Sequence, residues 1–138
     1  MQSMTIDLER LDQALNAPDA LHFLDLDSGR ILAVAPGQAL PGTDDKYDIQ
    51  PDRYLHIEPL GLSEAIAMRE AFLLTQHNPH AHAVLTTALG SRRPLRTFDY
   101  ELEAFPDIRE AWRRYQATQL REHAYAWLLD QGIEPSRR

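Results

Sequence analysis

The longest helical pattern of the chain begins at Pro106 and ends near Leu129. Apolar residues recur along it mostly at spacings of three and four, with a slip midway, which is typical of an amphipathic helix with one buried face. They are Ile108, Trp112, Tyr115, Leu120, Ala124, Trp127 and Leu128. Such a long helix needs other elements to cover its apolar face, so it constrains how the preceding residues fold.

The residues before this helix predict a small sheet and several shorter helices. Two short apolar runs within residues 20–35 flank residues 27–30, whose serine and glycine favour a hairpin turn. Alternating side chains in residues 53–58 predict a third strand. Helical patterns cover residues 5–16, 63–76, 94–104 and a short segment that ends at Gly90.

These elements predict an α+β fold. A small antiparallel sheet of about three strands, made of the N-terminal hairpin and one further strand, packs against about five helices that include the long C-terminal helix. The length of 138 residues suits one domain, which we place at residues 1–133, followed by a frayed C-terminal tail at residues 134–138. Thr5 and Ser63 are the expected N-caps of the first two helices.

The composition is typical of a globular protein and not of a disordered chain, because 43% of the residues are hydrophobic and 25% are charged. The sequence contains no apolar run of membrane-spanning length and no signal-peptide pattern, so we expect no association with a membrane. It also contains no cysteine, which excludes disulfide and thiolate chemistry. These features favour a cytoplasmic location.

Charge is distributed unevenly along the chain. The formal net charge is -7, made up of -8 in residues 1–90 and +1 in residues 91–138. An acidic protein repels phosphate backbones, so nucleic acid is disfavoured as a partner. Binding of nucleic acid through the arginine-rich C-terminal third remains a second alternative function.

The most suggestive cations are Arg92, Arg93 and Arg96, which follow a glycine–serine pair and precede a helix. Guanidinium groups beside the N-terminus of a helix favour the binding of anions. The alternative is that these arginines form ion pairs with acidic residues in the next turns, at Asp99, Glu101 or Glu103. Arg69, in the preceding helical pattern, is either a solvated cation or one that faces a partner.

Three histidines lie close together in the sequence, at His77, His80 and His82. Catalytic zinc sites often use three protein ligands, so these residues are the candidate ligands of a metal-dependent enzyme. Pro79 is expected to break the helix between the first two of them, and the H-E-x-x-H pattern is absent. A polar linker between two helices is the simpler interpretation, and no cofactor is otherwise indicated.

The sequence offers no motif for nucleophilic catalysis: G-x-S-x-G, the P-loop and G-x-G-x-x-G are all missing. We therefore favour a cytosolic, non-enzymatic binding module that recognises an acidic protein segment or a phosphate-bearing ligand. The expected binding residues are Arg92, Arg93, Arg96 and Arg69, together with nearby aromatic side chains. The sequence does not identify the partner. It is also compatible with a homodimer.

Several short motifs follow one another in an order that is typical of one family. They are Asp25 with Gly29, Tyr54 to Ile57, Met68 with Phe72, Gly90 with Arg92, Arg93 and Phe98, Trp112 with Tyr115, and Ala124, Trp127, Leu128, Gly132 and Ile133. On these residues, roughly 20–133, the chain resembles the uncharacterised bacterial protein family (UPF) zero-one-five-eight. Many members carry a G-x-F-x-x-F stretch where this chain has GSRRPLRTF. The resemblance implies a shared fold and no particular activity.

Overall fold

The computed structural model describes residues 2–18, 20–34 and 53–135, and within them it has an α+β fold. The elements in chain order are β1 (Gln2–Met4), α1 (Leu8–Leu15), β2 (Leu21–Asp25), β3 (Ile31–Val34), β4 (Tyr54–Ile57), α2 (Leu62–Leu73), α3 (Pro79–Leu89), α4 (Pro94–Leu102), α5 (Pro106–Asp130) and β5 (Ile133–Pro135). The predicted fold class is confirmed, since these residues form a three-stranded antiparallel sheet and five helices, of which the last is the longest. No helix in the described ranges is long and apolar enough to cross a membrane.

The chain divides into two compact units, and the long helix α5 contributes to both. The first unit comprises residues 1–60 and 120–138, and the second comprises residues 61–119. The assignment of residues 1–133 to a single domain stays a prediction.

The three-stranded sheet of the first unit has the strand order β3-β2-β4, with both pairs antiparallel. Leu24 on the central strand lies opposite Ile31 on one neighbour and Leu55 on the other. The hairpin turn between β2 and β3 contains Gly29 at φ 76, a backbone conformation that only glycine adopts without strain. The predicted hairpin and third strand are therefore confirmed.

The core of the first unit joins one face of this sheet to two helices. Leu24, Ile31 and Ile57 pack with side chains from α1 and from the C-terminal part of α5. The helical members of this cluster are Leu11, Ala14, Leu15, Leu120, Ala124 and Leu128. Burial of these apolar side chains is the main stabilising contribution to the unit.

A second, smaller pair of strands was not expected from the sequence. Strand β1 pairs with β5 in parallel, with Gln2 opposite Ile133 and Met4 opposite Pro135. Glu134 and Pro135, which the sequence assigns to a terminal tail, thus lie in a strand. The remaining residues of that tail, 136–138, are outside the described ranges.

The second unit is organised around Trp112, a buried residue of α5. Its ring lies 5.3 Å from the ring of Phe72 on α2 and 5.5 Å from that of Phe98 on α4, with edge-on geometry in both pairs. Tyr115 adds a further ring at 6.0 Å from Trp112 and 5.4 Å from Phe72. Edge-to-face aromatic pairs of this kind hold the three helices together beyond the burial of area alone.

The predicted N-caps of the first two helices are corrected by the structure. Asp7, and not Thr5, caps α1, and its side chain accepts a hydrogen bond from the Arg10 amide. Helix α2 begins at Leu62 after Gly61, so Ser63 lies inside the helix instead of capping it. Both changes shift the start of a helix by one to three residues.

Helix α3 is longer than the sequence suggests. As predicted, His77 and His80 do not share a helix, because α2 ends at Leu73 and a new helix begins at Pro79. Pro79 is the first residue of α3, and the Asn78 side chain caps the helix by accepting hydrogen bonds from the amides of His80 and Ala81, both at 3.1 Å. Proline is well suited to the first turn of a helix, because an N–H group at that position would have no acceptor within the helix. His80 and His82 are therefore helical residues and not part of a linker.

Candidate functional site

The candidate site is the turn that joins α3 to α4, and we call the exposed side chains of Arg92, Arg93 and Arg96 the arginine turn. Helix α3 ends at Leu89, and the Ser91 amide and hydroxyl both donate to the Ala88 carbonyl oxygen. Arg93 is the N-cap of α4, which starts at Pro94 as its proline predicts. The hydrogen bonds at the end of α3 and the proline at the start of α4 thus set the backbone position of the three arginines.

The three guanidinium groups are exposed and unpaired within the part of the chain that the structure describes. None of the ion pairs within 4.0 Å in those ranges involves Arg92, Arg93 or Arg96. The alternative that they are neutralised by Asp99, Glu101 or Glu103 therefore has no support from the structure. Three unpaired cations on a short segment raise the local positive potential of an otherwise acidic protein.

The N-terminus of α4 adds further hydrogen-bond donors beside these cations. No side chain within the described ranges caps this end, and the first helical hydrogen bond runs from the Thr97 amide to the Arg93 carbonyl oxygen. The amides of Leu95 and Arg96 precede that bond and have no partner within the helix. Backbone donors and the helix dipole both favour an anionic group at this point.

An exposed aromatic side chain lies one helical turn beyond Arg96. Tyr100 is 71% exposed, and residues four apart on a helix are neighbours on one face. The other aromatic residue of α4, Phe98, is fully buried against Trp112 and takes no part in this surface. Arginine and tyrosine are both enriched, as tryptophan is, among the residues that contribute most of the energy of protein-binding surfaces.

Arg69 differs from the three residues of the arginine turn because its side chain is buried. Only 5% of the residue is exposed, and its guanidinium lies 4.8 Å from the ring centre of Trp112 and 5.4 Å from that of Phe98. Its Nη1 donates to the Ala65 carbonyl oxygen at 2.9 Å, while its Nε is buried and has no hydrogen-bond partner among the described residues. Burial lowers the pKa of Arg69, and the charge of Asp99 only partly offsets this effect. Burial to this degree counts against both alternatives that the sequence leaves open, a solvated cation and one that faces a partner.

The three candidate metal ligands are not brought together by the fold. His77 and His80 are exposed, and the His80 ring contacts Phe105 edge-on with its centre at 5.8 Å. His82 is half-buried in α3. No group of three or more His, Cys, Asp or Glu side chains in the described ranges is arranged to hold a metal ion. The metal-dependent enzyme stays a prediction without geometric support.

A buried carboxylate network that the sequence does not indicate lies at the end of β2 in the first unit. The Asp25 carboxylate accepts hydrogen bonds from the Asp27 amide and the Ser28 hydroxyl, both at 3.0 Å, and from Arg53 Nε at 3.3 Å. Burial acts to raise the pKa of Asp25, but these hydrogen bonds outweigh it and hold the pKa of the carboxyl below its usual value. The donors occupy the oxygen atoms that acid–base catalysis would need, so we assign the network a structural role.

We expect this network to make stability depend on pH in the acid range. Because the pKa of Asp25 is lower in the folded chain than in the unfolded chain, its contribution is complete above about pH 5 and is lost as the pH falls through the folded pKa. Asp25→Asn should therefore weaken the loss of stability on acidification. Urea denaturation at a series of pH values measures this dependence. The exposed Asp130→Asn is the control, and equal slopes in both variants would contradict the assignment.

An open cleft of about 1160 Å³ lies in the first unit. It is lined by residues 5–9, residues 28–30, Arg121, Tyr125, Glu134 and Pro135. Its cations are not all free, since Arg121 Nε lies 3.0 Å from the Asp12 carboxylate. Acidic and basic groups are mixed along its wall, so its chemistry does not select one class of ligand.

The comparisons with known proteins agree with the resemblance seen in the sequence. The family model described as "Uncharacterised protein family (UPF0158)" matches residues 1–138. The "UPF0158 protein PA5073" of Pseudomonas aeruginosa is 38% identical over 138 residues, which is 100% of this chain and 90% of the relative. The chain therefore belongs to the uncharacterised protein family UPF0158, a family whose name specifies no function. No solved structure matches the chain.

Proposed function

We propose that this protein is a cytosolic, non-enzymatic binding module whose arginine turn recognises an acidic segment of a partner protein. The observation that carries the proposal is that Arg92, Arg93 and Arg96 are all exposed and make no ion pair within the described residues. Unpaired guanidinium groups supply planar, charge-assisted hydrogen bonds that match the geometry of carboxylates.

An acidic protein segment fits this surface better than a free phosphate does. Arg92, Arg93 and Arg96 are all exposed, so the arginine turn is an open surface. Small anions are usually held in concave sites, whereas an open surface suits an extended or helical segment. Tyr100 offers that segment an apolar contact one turn from Arg96.

The proposal is tested by titrating a fluorescein-labelled hexaglutamate peptide into the whole protein at low salt and following the anisotropy. Reversing all three charges with R92E, R93E and R96E should weaken binding by about 2 kcal/mol or more, which is roughly 30-fold. Each exposed charge pair contributes only modestly, so the combined variant is needed for a clear effect.

The matched control reverses three other exposed arginines, with R10E, R30E and R113E, and so produces the same change in net charge. We expect this control to weaken binding by less than about threefold, because it changes the net charge without removing the guanidinium groups that the proposal places in contact with the peptide. Equal losses in both triple variants would contradict recognition at the arginine turn. Displacement of the peptide by millimolar inorganic phosphate would instead favour a phosphate-bearing ligand.

A further inference from the structure

The exposed face of α4 carries opposite charges at its two ends. Arg96, in the first turn, and Glu103, at the C-cap, are both exposed, and Tyr100 lies between them. Neither charge belongs to an ion pair within the described part of the chain. The face is therefore basic towards the N-terminus, acidic towards the C-terminus and aromatic in the middle.

The spacing of these three residues makes the face complementary to itself. At a rise of 1.5 Å per residue, Arg96 lies about 6 Å before Tyr100 along the helix axis and Glu103 about 4.5 Å after it. When two copies of α4 run antiparallel about a two-fold axis near Tyr100, each Arg96 comes opposite the Glu103 of the other copy. The two tyrosines then meet at the axis, as in an isologous interface where one patch contacts its own copy.

We propose that the partner which fits this face is a second copy of this chain, docked antiparallel along α4. This inference rests on the proposed function, because it names one acidic segment that the arginine turn recognises. Charge complementarity selects the second copy: a uniformly acidic segment along the face would be attracted at Arg96 and repelled at Glu103, whereas a second α4 is attracted at both ends. Aromatic contacts at the centre with charges at the rim match the usual anatomy of an interface.

The contact is small, so the dimer is weak and reversible. A single face of a nine-residue helix falls below the area of stable interfaces, and we expect a dissociation constant on the order of 100 µM. Self-association therefore competes with the binding of other acidic segments instead of preventing it. The paired charges lie at the exposed rim, so their attraction weakens as the salt concentration rises.

The test is a charge exchange followed by sedimentation equilibrium of the whole protein at low salt. R96E and E103R should each weaken self-association at least tenfold, because each places like charges opposite one another. The double variant R96E/E103R restores opposite charges and should return to within about threefold of the wild type. An acidic residue in the first turn and a basic residue at the C-terminus both favour the helix, so loss of association cannot be attributed to loss of α4.

Several results would overturn the inference. The wild-type protein could stay monomeric up to millimolar concentration. The single variants R96E and E103R could associate as strongly as the wild type, or the double variant R96E/E103R could fail to recover self-association. The hexaglutamate titration keeps the proposed function separate, because Glu103 is not part of the arginine turn and E103R should retain peptide binding. Peptide binding without self-association would leave the proposed function in place and remove the second copy as a partner.

Discussion

Replacing Gly29 by alanine should lower the free energy of unfolding by about 3 kcal/mol or more. Gly29 has φ 76, and a Cβ atom added there would overlap the carbonyl oxygen of Thr5, which is backbone and cannot move aside cheaply. The left-handed conformation alone costs an alanine about 1–2 kcal/mol, and relief of the overlap requires the hairpin turn to shift. Chemical denaturation of both proteins measures the difference.

Gly132→Ala is the matched control for this prediction. Gly132 also has a positive φ, of 71, but a Cβ atom there would meet nothing within 4 Å. This variant should lose only about 1 kcal/mol, which is the cost of the backbone conformation without an overlap. Equal losses at the two positions would show that the contact between Gly29 and Thr5 is not what fixes the hairpin turn.

The second large effect is expected at Arg69, where the size of the side chain should matter more than its charge. Arg69→Ala leaves a cavity beside Trp112 and Phe98, whose rings the side chain contacts, for a loss of about 3 kcal/mol. Arg69→Met fills most of the same space without a buried charge. It should lose about 1 kcal/mol or less, because no described carboxylate lies within 4.0 Å of the guanidinium and its Nε lacks a partner.

Tryptophan fluorescence during denaturation reports on this site directly, because Trp112 lies against the guanidinium. A methionine variant as unstable as the alanine variant would mean that the positive charge itself is required. The same two proteins test whether Arg69 takes part in binding, which stays a prediction. If the arginine turn alone recognises the partner, Arg69→Met should bind the hexaglutamate peptide within about twofold of the wild type.

The sequence predicts the local elements of the fold well because their signals are local. The hairpin depends on a turn with glycine at its tip, and α4 and α5 both begin at a proline, as proline in the first turn predicts. The arginine turn follows from the same reasoning, since a turn between two helices lies at the surface. That its arginines make no ion pair with any described residue, however, depends on side-chain positions that spacing along the chain does not determine.

The pair of β1 and β5 could not be predicted for the opposite reason. Each strand has three residues, which is too short for an alternating pattern, and the two strands come from opposite ends of the chain. Pro135 also counts against a strand in any reading of local propensity. The pairing depends on the non-local fold, in which Ile133 joins the core of the first unit.

The burial of Arg69 is indicated by the periodicity of α2, but the residue type favours an exposed position. Ala65, Arg69 and Phe72 recur at spacings of four and three, so periodicity places the arginine on the buried stripe of α2. Arginine is seldom buried without a carboxylate partner, which favours the exposed assignment. The aromatic rings that contact its guanidinium belong to α4 and α5, which are distant from α2 in the sequence. The network around Asp25 was missed for a similar reason, because 28 residues separate Asp25 from Arg53.

The most direct test of the account is an NMR titration of the uniformly ¹⁵N-labelled wild-type protein with the hexaglutamate peptide, at protein concentrations below those of self-association. If the arginine turn binds acidic segments, the backbone amides of residues 91–100 should show the largest shift changes, including the amides of Leu95 and Arg96 that lack a helical partner. Shift changes confined to the cleft around Arg30 and Arg121, or no changes at millimolar peptide, would contradict it.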